Sequence, residues 1–143
     1  MSTAAHPITL QKVFFTRSVV IAVHGHEPKE GQAVPLPVNN IEVSKVDGQN
    51  RLRLATMKTL VNSEHDVAYA YHIDMECCAL LGVDETLSDA DAERGVLITA
   101  HSVCYGAIRE AVAWITGRQP YGELTLGLSI LTFEPRASAA SNS

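Results

Sequence analysis

The chain has 143 residues, 46% of them hydrophobic, and a formal net charge of -5 at pH 7. This size and composition predict one compact domain that builds its own apolar core. The negative charge offers no basic field for phosphates, which argues against nucleic-acid binding. The longest aliphatic runs, such as residues 19–23, are too short for membrane insertion.

Extended segments dominate the first third of the chain. Residues 9–23 are rich in Val, Ile, Phe and Thr and predict a long strand, and residues 41–46 predict a shorter one that ends at Asp47 and Gly48. Residues 27–37 contain three prolines and predict a loop between these strands.

The middle of the chain predicts a β-hairpin. Residues 67–81 alternate between apolar and polar side chains, which is typical of a long strand with one buried face. Residues 52–61 predict its antiparallel partner, because residues 62–66 are polar and turn-forming.

Helical patterns follow the hairpin. Ser88 and Asp91 resemble a capping box that begins a helical segment toward residue 100, although Gly95 weakens it. Residues 102–116 predict a second helix, for which Gly117 supplies a left-handed stop.

The last predicted element is a Leu-rich extended segment, and a small polar tail ends the chain. We predict a single domain over residues 1–136 and a disordered tail over residues 137–143. Antiparallel strands followed by helices predict an α+β fold with the helices on one sheet face. Such a sheet leaves one face and its edges uncovered, so we also predict self-association.

Several segments resemble the SecB family of protein-export chaperones, and the likeness covers most of the chain. Residues 10–14 resemble the family's first strand, residues 69–82 its long hairpin strand, and residues 105–110 the start of its main helix. Residues 114–128 resemble the end of that helix and the Leu-rich stretch after it.

The resemblance implies a four-stranded antiparallel sheet with helices packed on one face, assembled as a homotetramer from two dimers. It implies an ATP-independent holdase, without a cofactor, that keeps non-native polypeptides in apolar grooves between sheet and helix during protein transport. It also implies an acidic sheet surface that docks the motor protein SecA. The lack of a signal-peptide pattern separately predicts a cytoplasmic protein.

Two departures argue against a SecA contact. The family's acidic positions on the first strand fall near Arg17 or Ser18 and near Ile21 or Ala22, and the one on the hairpin strand falls near His72. The pattern after residue 133, a proline followed by a Ser- and Ala-rich tail, also predicts no counterpart of the family's long terminal helix. We therefore predict a divergent relative specialised for one client, as in chaperones dedicated to an antitoxin.

Five apolar residues are the predicted contacts for unfolded or partly folded polypeptides, because aromatic and Leu side chains suit an exposed groove. Burial in the core is the alternative for each of them. The predicted polypeptide-binding residues are Phe14, Tyr69, Tyr71, Leu80 and Trp114.

His72, Asp74 and Glu76 share one face of the hairpin strand. They offer metal ligands or an acid and base in principle, but period-two spacing is more typical of a solvated sheet face. We predict that this trio is a partner-docking surface and that it holds no metal.

Two other groups suggest chemistry. His24 and His26 flank a glycine, which indicates either a partial metal site or an ordinary turn. His101 precedes Cys104 by nearly one helical turn, which indicates either a base and nucleophile or core packing. The three cysteines do not form a disulfide framework and favour a reducing compartment.

The sequence therefore predicts a non-enzymatic, SecB-like chaperone that forms a dimer or tetramer and has no catalytic residue. The alternative hypothesis is an adaptor on the same fold that binds one folded partner in an antitoxin system or mobile element. A thiol- or metal-dependent enzyme is the third class considered.

Overall fold

The computed structural model describes residues 6–31 and 35–131. In chain order it contains the strands β1 (Ile8–Ala22), β2 (Val38–Val46), β3 (Gln49–Val61) and β4 (Tyr71–Val83), followed by the helix α1 (Asp89–Thr116). The predicted domain boundary at residue 136 and the predicted tail lie outside the described residues.

The four strands form one antiparallel sheet in the order β1-β4-β3-β2, and α1 packs against one of its faces. This arrangement confirms the predicted α+β class. The predicted hairpin is confirmed as well, since β3 pairs with β4 and brings Met57 opposite Cys77 and Val61 opposite Ile73.

The covered face of the sheet forms the core. Alternate residues of β4 point toward α1, and Ile73, Met75 and Cys77 are fully buried there. They meet a buried helix face that includes Cys104 and Ile108. The alternation in the sequence therefore reports correctly which side of β4 is covered.

β4 begins later than predicted, at Tyr71 instead of residue 67. Asn62 and His65 adopt left-handed backbone angles, with φ of 53° and 55°, which turn the chain sharply. Tyr69 consequently lies in the hairpin loop (residues 62–70) and not on the strand face. The polar positions at which the chain turns explain why the alternation before Tyr71 does not continue the strand.

One continuous helix replaces the two predicted segments. Ser88 is its N-cap, since its side chain accepts a hydrogen bond from the backbone N–H of Asp91. Gly95 does not interrupt α1 because it serves close packing: a Cβ at this position would lie 2.5 Å from Cδ1 of Ile8. Glycine here lets β1 approach the helix.

The predicted left-handed stop at Gly117 is wrong. Gly117 keeps a right-handed φ of -60°, and the chain reverses a few residues later through Gly122, whose φ is 85°. Residues 123–131 then run back along α1 without joining the sheet. We call this stretch the covering segment.

The other face of the sheet carries no described element, and we call it the open face. Two small apolar groups lie on it, on either side of a charged row. One group combines Phe14, Leu80 and Leu54, and the other combines Val19, Leu60 and Val38. The open face therefore mixes both polarities instead of presenting one continuous apolar surface.

β1 has two irregularities in its pairing with β4. The register skips Gln11 between Leu10 and Lys12, and it skips Thr16 between Phe15 and Arg17. Each skipped residue lets the apolar residues on both sides keep facing the helix.

Among the described residues, no helix is both long enough and apolar enough to cross a bilayer.

Candidate polypeptide-binding site

The hairpin loop is held in shape by its own polar side chains. The Asn62 amide donates to the backbone oxygens of Asp66 and Tyr71, and its oxygen accepts from the Asp66 N–H. The Asp66 carboxylate in turn accepts from the Ala68 N–H at 2.9 Å. These bonds fix the loop that presents Tyr69.

The connection after β1 is fastened to this loop. The Val23 N–H donates to the Ala70 oxygen and the Glu27 N–H donates to the Val67 oxygen, both at 2.8 Å. The His26 ring lies 2.7 Å from the same Val67 oxygen through Nδ1. The two loops thus form one wall at this end of the sheet.

A cavity of about 270 Å³ lies behind this wall, between the two loops and residues 121–124. Tyr71 closes its base, where its hydroxyl donates to the Gly122 oxygen at 2.6 Å. Burial raises the pKa of the Tyr71 phenol, so it stays a neutral donor. The ring of Tyr121 stands edge-on to Tyr71, with 5.9 Å between the centroids.

A second depression, of about 260 Å³, adjoins the first on the side of the open face. Leu36, Val38 and Leu60 supply its apolar lining, and Tyr69 borders both depressions. Leu36 is 86% exposed and Val38 is 68% exposed, although both are large and apolar. We call Leu36, Val38, Val67, Tyr69 and Tyr121 together the apolar rim.

The five predicted polypeptide-binding residues do not meet in one groove. Tyr69 lies on the apolar rim, and Tyr71 is buried beneath it. Phe14 and Leu80 lie at the opposite end of the open face. Trp114 is 60% exposed on α1, where the Arg118 guanidinium lies 3.8 Å from the ring centroid.

The predicted docking trio lies on the open face, but each member already has contacts within the chain. Asp74 accepts from Nε of Arg17 at 2.7 Å. Glu76 accepts from the Thr16 hydroxyl at 2.6 Å and lies 3.6 Å from Nζ of Lys58. The carboxylates are therefore largely compensated by cations on β1 and β3.

His72 is only 8% exposed and stacks on His65, with ring centroids 3.9 Å apart. Its Nδ1 lies 3.0 Å from the Asn62 oxygen, which links the imidazole to the hairpin loop. In the described ranges, no three metal-ligating side chains gather into a potential site. His72 therefore contributes to the loop structure more than to an acidic surface.

The structure places Cys104 in the apolar core, which is the core-packing alternative of the sequence analysis. Cys104 is fully buried, and contact with Cys77 together with burial raises the pKa of its thiol far above the usual value. His101 points to the Ser129 hydroxyl, 3.1 Å away. A buried, protonated thiol lacks the reactivity of a nucleophile.

Sequence reasoning missed most of the site, including His26 and four residues of the apolar rim: Leu36, Val38, Val67 and Tyr121. Leu36 lies between two prolines, which is a weak signal that an apolar residue is held out of the core. Tyr121 follows Pro120 directly and gives no periodic signal. The pattern of strands and helices carries no information about such loop residues.

The geometry thus defines an α+β chain with one open sheet face and an apolar rim at its end. A similar fold occurs in a SecB-like chaperone from Mycobacterium tuberculosis, solved in complex with a peptide from the HigA1 antitoxin, with a TM-score of 0.59. The match covers 89% of this chain and 94% of that one at 16% sequence identity. It confirms the predicted SecB-like fold.

A protein of unknown function from Streptococcus agalactiae is also similar, with a TM-score of 0.52 and 11% identity. That match covers 87% of this chain and all of the other, 100%. No protein-family description and no curated protein sequence matches the chain.

Proposed function

We propose that this protein is a SecB-like, ATP-independent chaperone that binds extended apolar segments of non-native polypeptides. The apolar rim carries the proposal, because it exposes several large apolar side chains around two adjoining depressions. Surfaces of this kind on a rigid frame mark sites for protein partners. Binding is reversible and requires neither a catalytic residue nor a cofactor.

The fastened loops support this role. A rim held by backbone hydrogen bonds does not have to be ordered when a client arrives, so less binding energy is lost. The two depressions have room for apolar side chains on either side of Tyr69. Apolar pockets that receive side chains of an extended segment tolerate many sequences.

A dedicated adaptor is the second candidate function. The structural neighbour from Mycobacterium tuberculosis is described with an antitoxin peptide, which favours a specialised client over a broad one. A single folded partner would also use the apolar rim. The two candidates differ in the number and the folded state of the proteins bound.

We also propose that copies of this chain associate with one another through the edge strand β1. β1 lies at a sheet edge and exposes Leu10 and Phe15, which are 48% and 38% accessible. Edge strands with apolar residues pair readily with another copy, in a dimer or a tetramer.

The compensated carboxylates of the open face favour an assembly that does not dock SecA. A cytoplasmic location remains a prediction from the reduced cysteines.

Suppression of aggregation tests the proposal. Two unrelated proteins are diluted from denaturant with and without the chaperone, and light scattering follows their aggregation and the mass of the chaperone. We expect suppression of both clients. Tyr69→Ser should reduce the suppression several-fold, because it removes the aromatic ring between the two depressions.

Ile98→Ser is the matched control, since Ile98 is 47% exposed on α1 and borders neither depression. An equal loss in both variants would mean that general surface apolarity, and not the rim, holds the client. Failure of the wild type with both clients, despite a folded state, would contradict the chaperone role. Capture of one folded partner would then support the adaptor.

A further inference from the structure

Two histidines join the hairpin loop to the sheet. The ring of His65 lies on the ring of His72, with 3.9 Å between the centroids and 22° between the planes. His65 is exposed and belongs to the loop, whereas His72 is 8% exposed and belongs to β4, where it pairs with Ile21 of β1. The stacked rings therefore hold the loop against the end of β4.

The backbone oxygen of Asn62 contacts both histidines. It accepts from the His65 N–H at 3.1 Å and lies 3.0 Å from Nδ1 of His72. Because a carbonyl oxygen only accepts, Nδ1 of His72 carries a hydrogen. An imidazolium keeps that hydrogen, so the bond to Asn62 survives protonation of His72. Only the contact between the two rings depends on their charge.

The stack accommodates one proton but not two. An imidazolium is attracted by the face of a neutral aromatic ring, so a single proton leaves the rings together. Two charged rings 3.9 Å apart repel each other, and one of them must leave. His65 is the ring that can leave, because it is exposed and its backbone has the left-handed φ of 55°.

The carboxylates nearest to the stack along the chain are engaged elsewhere. Asp74 follows His72 on the open face but accepts from Nε of Arg17 at 2.7 Å. The Asp66 carboxylate accepts from the Ala68 N–H. In the part of the chain that the structure describes, no carboxylate forms an ion pair with either imidazole. The other titratable groups on the adjoining elements are Glu64 in the loop and His24, His26 and Glu27 in the connection after β1.

The loop that the stack holds forms part of the site. Loop residues 62–64 and 66 line the second depression beside Tyr69. Departure of His65 would take its N–H away from the Asn62 oxygen and loosen this turn. A loosened loop must be ordered again when a client binds, and this ordering costs binding energy. Double protonation of the stack would therefore weaken binding at the apolar rim.

We propose that the stacked imidazoles of His65 and His72 form a pH-sensitive switch, which keeps the apolar rim in its binding form at neutral pH and loosens it in mild acid. Imidazole is the side chain that ordinarily changes its charge between pH 5 and 8. This inference rests on the proposed polypeptide binding and adds its regulation. A fall in pH would then release a client without ATP.

Millisecond hydrogen exchange of the full chain tests the switch without any client. The readout is the protection of the backbone amides of residues 65, 66, 68 and 69, which donate within the loop. Protection is compared at pH 7.5 and pH 5 after correction for the intrinsic exchange rate. We expect a fall of about fivefold in acid, caused by local opening, while β3 and β4 keep their protection. Unchanged protection at pH 5 overturns the inference.

His65→Phe keeps an aromatic ring on His72 but cannot take up a proton, so its loop should be equally protected at both pH values. His24→Phe is the matched control, because it removes an exposed histidine from the neighbouring connection and leaves the stack intact. This control should respond to acid as the wild type does. An equal loss of protection in the wild type and in His65→Phe would assign the response to a group such as Asp66 and overturn the inference.

His65→Asn decides if His65→Phe does not fold. Asparagine accepts the left-handed backbone of this position and carries no charge at either pH. The protection of its loop should be independent of pH, although lower than in the neutral wild type because the stack is lost. A loss in acid as large as that of the wild type would overturn the inference.

Peptide binding at the two pH values separates the switch from the proposed function. The probe is a rhodamine-labelled octapeptide of alternating Leu and Ser, blocked at both ends, whose own charge does not change with pH. Fluorescence polarisation should show about fivefold weaker binding to the wild type at pH 5 and equal binding to His65→Phe at both values.

The two readouts fail independently. Equal peptide binding by the wild type at both pH values, despite an opened loop, overturns the regulation and leaves the chaperone role intact. An acid-opened loop without peptide binding at either pH supports the switch in the loop and contradicts the proposed polypeptide binding.

Discussion

The two faces of the sheet place opposite demands on the same strands. On the covered face, Ile73 and Met75 of β4 are fully buried against α1. On the open face, Asp74 and Glu76 alternate with them and bind cations from neighbouring strands. Burial is therefore concentrated on one side of the sheet, whereas the other side and the apolar rim stay exposed.

The largest expected effect is a core truncation on the covered face. Ile73→Ala removes buried methyl groups and leaves a cavity, so we expect it to lower the free energy of unfolding by about 3 kcal/mol. Ile21→Ala on β1 is the matched change on the open face, where Ile21 is 45% exposed, and it should cost less than about 1 kcal/mol. Urea unfolding measures both values. Equal losses would mean that a partner copy covers the open face.

The second-largest loss of stability is expected at Tyr71, which lies where the covered face meets the apolar rim. Tyr71→Phe leaves the Gly122 oxygen without its hydroxyl donor, and we expect a loss of about 1.5 kcal/mol in urea unfolding. Tyr69→Phe, in the hairpin loop, should change stability by less than about 0.5 kcal/mol. A loss in Tyr71→Phe no larger than in the loop variant would show that water replaces this hydrogen bond.

Acid should lower the free energy of unfolding through His101, which lies between α1 and the covering segment. Burial lowers the pKa of this imidazole below its usual 6.5, so the unfolded chain takes up the proton first as pH falls. This contribution to stability is complete above pH 6.5 and declines as pH falls from 6.5 toward the folded-state pKa. The decline should be smaller than the effect of either substitution above, since the ring keeps some solvent contact.

Urea unfolding between pH 7.5 and 5 checks the direction. His101→Gln should flatten the part of the profile that lies just below pH 6.5, whereas His24→Gln, at an exposed loop position, should not. An identical slope in the wild type and His101→Gln would assign the acid sensitivity to other groups.

The smallest effect is expected from the ion pairs of the open face. Arg17→Ala removes the partner of Asp74, whose side chain is 29% exposed, and we expect a loss of about 0.5 kcal/mol or less. The loss should shrink further in 1 M salt, because salt screens exposed charges. A salt-independent loss would place this pair inside an interface.

The sequence predicted the elements whose signals are local and periodic. The alternation after Tyr71, the hairpin partner and the Ser88 cap all followed from residue spacing. The prediction at Gly95 was wrong, because a glycine inside a helical pattern usually indicates a weak or broken helix. Only the short distance to Ile8 shows that this glycine permits close packing inside a continuous helix. Close approach between distant segments leaves no mark in local periodicity.

The candidate site was predicted only in part. Tyr69 borders both depressions, but its neighbours Leu36 and Tyr121 come from distant loops that only the fold brings together. The compensation of Asp74 and Glu76 was also invisible, since it depends on the register of β1 and β3. Spacing along one strand identifies a face and does not identify what lies across it.

The two skipped positions in β1 also bear on how this strand tolerates changes in length. Deletion of Gln11 or Thr16 would make the pairing with β4 regular and keep every flanking side chain on its present face. Deletion of a paired residue such as Val19 would rotate the remaining strand and expose its apolar side. Relatives of different length in this region can therefore keep the same sheet, provided that the lost residue is one of these two.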